Sequence, residues 1–199
     1  MAIVHKSSEG LAVNSWKQKR SVMRRYNLTA KMYDARYVEE QEAKYKSALK
    51  DLILSQNATA LDVGCGSGLF ISHAADKIAM MVGVDASREL LTLAKERTKE
   101  FTNVFLVLAD ADLLPFREGL FEFVFAFTVL QNMPNPAETL KQILTSSIDD
   151  AVFVITGLKS AVSLEIFGAL LERAGLQTVS LGSENQLRSY VARCIRRKK

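Results

Sequence analysis

The chain is poor in the residues that build covalent or metal-held folds. It has two cysteines, Cys65 and Cys194, and two histidines, His5 and His73, in 199 residues. That excludes a disulfide framework and a cysteine-based zinc site, and no metal-ligand cluster is visible, so no metal is expected. No apolar run approaches the roughly 18 residues that a membrane helix needs. The opening His5-Lys6-Ser7-Ser8-Glu9 has no long apolar core, so no signal peptide is expected and a reducing cytoplasm is the default. Repeats and low-complexity segments are absent. What remains is ordinary for a globular chain: 48% apolar and 24% charged residues, enough for one domain with a substantial core.

Charge is unevenly placed. Residues 1–33 carry a net +6, residues 188–199 another +6, and the body between them −8. Basic ends on an acidic body fit either arms that meet phosphates, as in RNA contact, or solubilising tails.

Residues 1–15 read as irregular and 16–54 as helical, with breaks expected near Asn27 and Asp34. Beyond Ser55-Gln56-Asn57, strand and helix patterns alternate. Strands are expected at 59–63, 80–85, 104–108, 121–127 and 151–155, and helices at 68–77, from Ser87, after Pro136 through Ser146, and at 161–174 up to Gly175. Two last strands, 176–181 and 188–195, follow each other without a helix and should pair antiparallel. The expected architecture is α/β: a doubly wound seven-stranded, mostly parallel sheet whose last strand is reversed. Residues 1–54 would be a helical extension and 55–199 the main domain, in one compact unit.

Leu61-Asp62-Val63-Gly64-Cys65-Gly66-Ser67-Gly68 reads as a buried strand ending in a glycine turn that opens a helix. Gly64, Gly66 and Gly68 permit a tight turn and the close approach of a nucleotide-like ligand. With Leu69 in the next position, the spacing does not meet the dinucleotide pattern G-x-G-x-x-G. Asp62 would repel a pyrophosphate and suits a cation. S-adenosylmethionine, with a sulfonium, an ammonium and no phosphate, therefore fits better than NAD.

These motifs and this layout resemble the class I S-adenosylmethionine-dependent methyltransferases, a Rossmann-like family, over about residues 33–195. The resemblance implies that the turn 62–68 wraps the methionine half of the cofactor. It implies that Asp85, in Val82-Gly83-Val84-Asp85-Ala86-Ser87, accepts both ribose hydroxyls. It implies that Asp110 accepts the adenine amino group, with the next backbone amide, Ala111, donating to the ring. The competing readings are that Asp85 caps the next helix, where Ser87 is better placed, that Asp110 is a turn residue, and that Asp112 faces solvent. Tyr33 and Tyr37 look like the aromatic pair that closes the pocket in some small members, or else they pack a helix on the sheet. Ala86 and Phe127 complete the expected cofactor shell.

Methyl transfer from a sulfonium is a direct displacement, so alignment and water exclusion matter more than a general base. No catalytic residue is assigned. The segment after strand 4, Phe127-Thr128-Val129-Leu130-Gln131-Asn132-Met133-Pro134, should line the methyl site, with Gln131 and Asn132 as substrate-binding candidates. It lacks the Asn-Pro-Pro-Tyr or Asp-Pro-Pro-Tyr signature of enzymes that methylate planar amino groups. The basic ends tip the acceptor towards RNA or a ribosome-associated target. The alternatives are a small-molecule (quinone or metabolite) acceptor and a cofactor-binding subunit without activity. The resemblance also implies that Val104-Phe105-Leu106-Val107-Leu108, at the sheet edge, pairs with a small zinc-binding activator protein, as in some relatives.

Overall fold

The computed structural model describes residues 8–197 and, within the first helix, the side chains of residues 15–30 and 38–49. Helix α1 is Ser8–Leu49. Strands and helices then alternate as β1 Thr59–Val63, α2 Leu69–Ala74, β2 Met80–Asp85, α3 Arg88–Arg97, β3 Val104–Leu108 and β4 Phe121–Ala126. The chain closes with α4 Pro136–Ser146, β5 Ser147–Leu158, α5 Leu164–Arg173, β6 Leu176–Gly182 and β7 Ser189–Arg196.

One seven-stranded sheet has the order β3-β2-β1-β4-β5-β7-β6. Strands β1 to β5 pair in parallel, and β7 lies antiparallel between β5 and β6. The order reverses between β1 and β4, the point where doubly wound sheets open a crevice beyond their strand ends. Because helices cover both faces, the central strands bury apolar residues on both sides: Ala60, Leu61 and Val63 of β1 are fully buried, as are Phe153, Val154 and Ile155 of β5. One face packs Leu61, Val63, Val124 and Phe153 against Leu140, Ile143 and Phe167. The other packs Ala60, Met81 and Phe125 against Phe70, Ile71 and Tyr45. Tyr45 belongs to α1, so the second half of that helix is part of the core.

The N-terminal segment departs from the sequence reading. It is helical from Ser8 and runs through Asn27 and Asp34 without a break. Asn27 does not compete for its own backbone, because its Oδ1 accepts from the Ser87 hydroxyl at 2.6 Å. The helix stops at Leu49 rather than residue 54, since Asp51 takes a left-handed φ of 58°. Helix α2 is shorter than expected and passes into a 3-10 turn at Ala75–Lys77. Helix α5 starts late, at Leu164, where the Ser163 side chain accepts from the Ile166 amide. Strand β5 is longer than expected because it also pairs Ser147 with Phe121, beyond a bulge in β4. Among the described residues no helix is long and apolar enough to cross a membrane. No group of three or more His, Cys, Asp or Glu among them is placed to hold a metal ion.

Candidate active site

A cavity of about 320 Å³ opens at the switch point, over the C-terminal ends of β1 to β4. Its floor begins at the turn after β1. Gly64 has φ 68°, and a Cβ there would sit 2.6 Å from Val129 Cγ2, so only glycine fits. Gly66 also has positive φ, at 56°, but a Cβ would meet nothing within 4 Å. Gly66 lines the cavity, so the space that its missing side chain leaves is ligand space. Gly68 lies outside the lining, where it starts α2 and abuts Ala94 of α3.

Asp85, at the end of β2, faces the cavity. Its Oδ2 accepts the Gly66 amide at 2.9 Å and its Oδ1 the Ser87 amide at 2.8 Å. Each oxygen keeps a second lone pair for a ligand hydroxyl. Burial raises the Asp85 pKa above the ordinary carboxylate value, against the pull of those backbone donors. The helix cap that competes for Asp85 belongs to Ser87, whose side chain accepts from Leu90. Beneath the turn, Asp62 is buried, and its Oδ2 has no hydrogen-bond partner. Burial, then the charge of Asp85, pushes its pKa well up. Asp62 is under the lining rather than in it. Cys65 is a buried thiol held well above its ordinary pKa by burial and by both carboxylates, which leaves it no nucleophile.

Ala86, Ala111 and Asp110 line the next wall. Asp110 is not free. Lys19 Nζ of α1 donates to its two oxygens at 2.6 and 2.9 Å and lies 2.6 Å from Asp112 Oδ2. Burial would lower the Lys19 pKa, but the hydrogen bonds and charges of the two aspartates outweigh it and raise it. Asp112 therefore does not face solvent. It pairs with Lys19, and its Oδ1 also accepts from the buried Thr139 hydroxyl at 2.5 Å.

The segment after β4 forms the opposite wall through Phe127, Thr128, Val129, Asn132 and Met133. Asn132 lines the cavity and Gln131 does not; Gln131 borders a second cavity of about 440 Å³ beside α5. Both donate to the Thr128 carbonyl, Gln131 Nε2 at 2.6 Å and Asn132 Nδ2 at 3.1 Å. Asn132 is tied to α1 as well: its Nδ2 lies 3.1 Å from the Tyr26 hydroxyl and its Oδ1 accepts from Arg25 at 3.2 Å. Tyr33 and Tyr37 fall within α1, but their side chains lie outside those described.

The roof is what the sequence reading missed. Trp16, Lys19, Val22, Met23 and Tyr26 of α1 cross the cavity. Their spacing follows successive helical turns, and that is the signal that was present in the sequence. It lies inside the basic N-terminal segment, whose charge fits phosphate-meeting arms or solubilising tails equally.

Residues 61–155 match the family model described as a methyltransferase domain. The fold is that of the class I S-adenosylmethionine-dependent methyltransferases. Over 108 residues, 53% of this chain and 46% of the relative, the sequence is 32% identical to a demethylmenaquinone methyltransferase of Staphylococcus saprophyticus. The chain thus spans about half the length of the curated relatives it matches. Among solved structures it is similar to magnesium protoporphyrin IX methyltransferase from Synechocystis with bound S-adenosylmethionine, at TM-score 0.71 and 18% identity over 90% of this chain and 97% of that one. It is also similar to a structure from Haloferax volcanii that contains a methyltransferase activator in complex with its partner, at TM-score 0.72 and 16% identity over 87% and 98%. A methyltransferase from Aquifex aeolicus matches at TM-score 0.69 and 17% identity over 76% and 88%.

Proposed function

We propose that this chain is an S-adenosylmethionine-dependent methyltransferase acting on a small-molecule acceptor. One observation carries the cofactor: a buried carboxylate oxygen without a partner, Asp62 Oδ2, next to a second buried carboxylate, under a glycine turn that leaves ligand space at Gly66. An unpaired buried carboxylate is costly, and a cation relieves it. A pyrophosphate would aggravate it. The turn Gly64–Gly66 would hold the ammonium-bearing half of the cofactor above the charge of Asp62, Asp85 the ribose hydroxyls, and Asp110 with the Ala111 amide the adenine. Gly68 supports the turn by packing α2 on α3, while Ala86 and Phe127 enclose the rings. When bound, this cofactor supplies an electrophilic methyl group activated by positive sulfur. Lys19 must then share or yield Asp110. In this reading α1 is an N-terminal extension that roofs the site.

The small acceptor is supported by the roofed cavity and by the demethylmenaquinone-methylating relative. Three of the basic residues near the ends are engaged within the chain. Lys19 is spent on two aspartates, Arg193 donates to the Asp51 carbonyl, and Arg196 binds Asp149 and the carbonyls of Leu144 and Ser147. Calorimetry with S-adenosylmethionine and NAD tests the cofactor; NAD binding without S-adenosylmethionine binding overturns the reading. Transfer of labelled methyl groups to fractionated extract, sorted into RNA, protein and small molecules, separates the acceptors. Cofactor binding with no labelled product in any fraction would make the chain a non-catalytic subunit.

Edge strand β3 offers a place for an activator protein of the kind seen with the Haloferax neighbour. Phe105 and Leu108 are 53% and 48% exposed there, and Leu113 nearby is 68% exposed. Co-purification with a small zinc-binding protein tests this. Full activity of the lone, monomeric chain removes the need for it.

A further inference from the structure

On the far side of β1 from Asp85 and Asp110 lies a group that the cofactor reading does not use. Lys44 of α1 is 1% exposed, among the largest fully buried side chains of the protein. Its Nζ donates to Thr128 Oγ1 at 2.8 Å and lies 3.5 Å from Glu40 Oε1. A methionine or leucine would fill the same space without the cost of burying an ammonium. Seating α1 on the sheet therefore does not explain a lysine.

Its partner is just as unusual. Thr128 lines the cavity and holds φ at 62°, a conformation that β-branched residues rarely adopt. Every polar group of its backbone is fixed. Its amide donates to the buried Thr156 hydroxyl at 2.8 Å, and its carbonyl accepts from Gln131 and Asn132. Backbone strain held by three hydrogen bonds at a cavity wall places the Thr128 hydroxyl deliberately.

An ammonium has three donors and no acceptor. A threonine oxygen that accepts from Lys44 keeps its own hydrogen to donate. We propose that Lys44 positions and polarises the Thr128 hydroxyl as a donor to an oxyanion of the methyl acceptor, so that the acceptor is an ionised hydroxyarene or enol. This rests on the methyltransferase reading and names its substrate class. The Lys44 charge behind the hydroxyl strengthens the hydrogen bond to an anion in a dry site. The acceptor gives its hydroxyl proton to water before reaction. Its electron pair, on the oxygen or on the carbon conjugated to it, forms the bond to the methyl carbon, and the pair of the broken carbon–sulfur bond stays on sulfur as a thioether. Where carbon is methylated, its proton leaves to water as conjugation is restored. Thr128 is the group that touches the acceptor, and Lys44 is a positioning residue.

The test uses 4-nitrophenol, whose ionised form is coloured, titrated against the full chain with S-adenosylhomocysteine present, and calorimetry of S-adenosylhomocysteine on the same samples. The expected result is a bound nitrophenol that ionises at least tenfold more readily than in water. Thr128→Ser should keep that shift. Thr128→Val and Lys44→Met should abolish it while leaving S-adenosylhomocysteine affinity within about threefold. Nitrophenol that does not bind, that binds without a shift, or that shifts equally in Thr128→Val overturns the proposal while the cofactor reading stands. Wild-type protein that binds no S-adenosylhomocysteine removes the cofactor reading, and this proposal with it.

Discussion

Asp62→Asn should stabilise the cofactor-free protein and weaken its hold on the cofactor. The substitution keeps the size of the side chain and removes its charge. In the wild type, Asp62 is buried beside Asp85, with one oxygen unpaired. Leaving such an acceptor unsatisfied costs roughly 1–3 kcal/mol. The folded pKa lies above the unfolded one, so folding binds the proton more tightly. The favourable contribution of the protonated acid is complete below the unfolded carboxylate value and is lost as pH rises through the folded pKa. At neutral pH and above, the variant should therefore melt higher, by about 2–4 °C for each kcal/mol in a chain of this size. That gain should fade as the medium is acidified, where wild-type Asp62 carries its proton and resembles the amide. Calorimetric binding of S-adenosylmethionine should fall roughly tenfold or more, the worth of one charge-assisted contact of about 1.5–3 kcal/mol. Equal melting curves for the two proteins across neutral and acid pH would refute the claim that Asp62 is a costly buried charge. Unchanged affinity would refute its assignment to the cofactor.

Four further substitutions probe the same geometry. Gly64→Ala drives a methyl into Val129 Cγ2 at 2.6 Å and should cost roughly 1–3 kcal/mol in denaturant unfolding, partly recovered by adding Val129→Ala. Gly66→Ala meets nothing within 4 Å, so it should lose only about 1 kcal/mol for its positive φ yet bind S-adenosylmethionine far more weakly by calorimetry. Lys19→Met leaves Asp110 and Asp112 facing each other and should destabilise the cofactor-free protein by about 1–3 kcal/mol, a loss that adding Asp110→Asn reduces. Ser87→Ala removes the cap of α3 and should cost about 1 kcal/mol in thermal unfolding, with the side-chain partner of Asn27 lost as well.

The sheet was legible in the sequence because its strands are short apolar runs bounded by turn residues. β1, β2 and β3 begin and end where expected, and Pro136 marks the start of α4. The reversed last strand followed from two strand patterns with no helix between them. The cavity floor was legible for a related reason: glycines and acids at strand ends have few structural uses. The roof was not. A stripe of Trp16, Lys19, Val22, Met23 and Tyr26 shows that a helix has an inner face, but not which surface that face covers. Asn27 and Asp34 suggested breaks because nothing local shows that Asn27 finds its partner in Ser87, sixty residues on. Lys44 was hidden too. A lone lysine in a helix carries no sign of burial, and only the fold puts Thr128 against it.

The matched family segment begins at residue 61, after α1 has ended. The glycine turn and all three acids of the floor lie inside that segment, whereas the roof and Lys44 lie before it. The boundary of the matched segment thus runs along the cavity's own seam. The matched segment holds the floor of the cavity, and laid across it is a single rod of 42 residues, about 60 Å long. Changes in that rod reshape the roof, and through Lys19, Asn27 and Lys44 they also reach Asp110, Ser87 and Thr128. A chimera carrying this α1 on a relative's floor would be expected to bring its choice of acceptor with it.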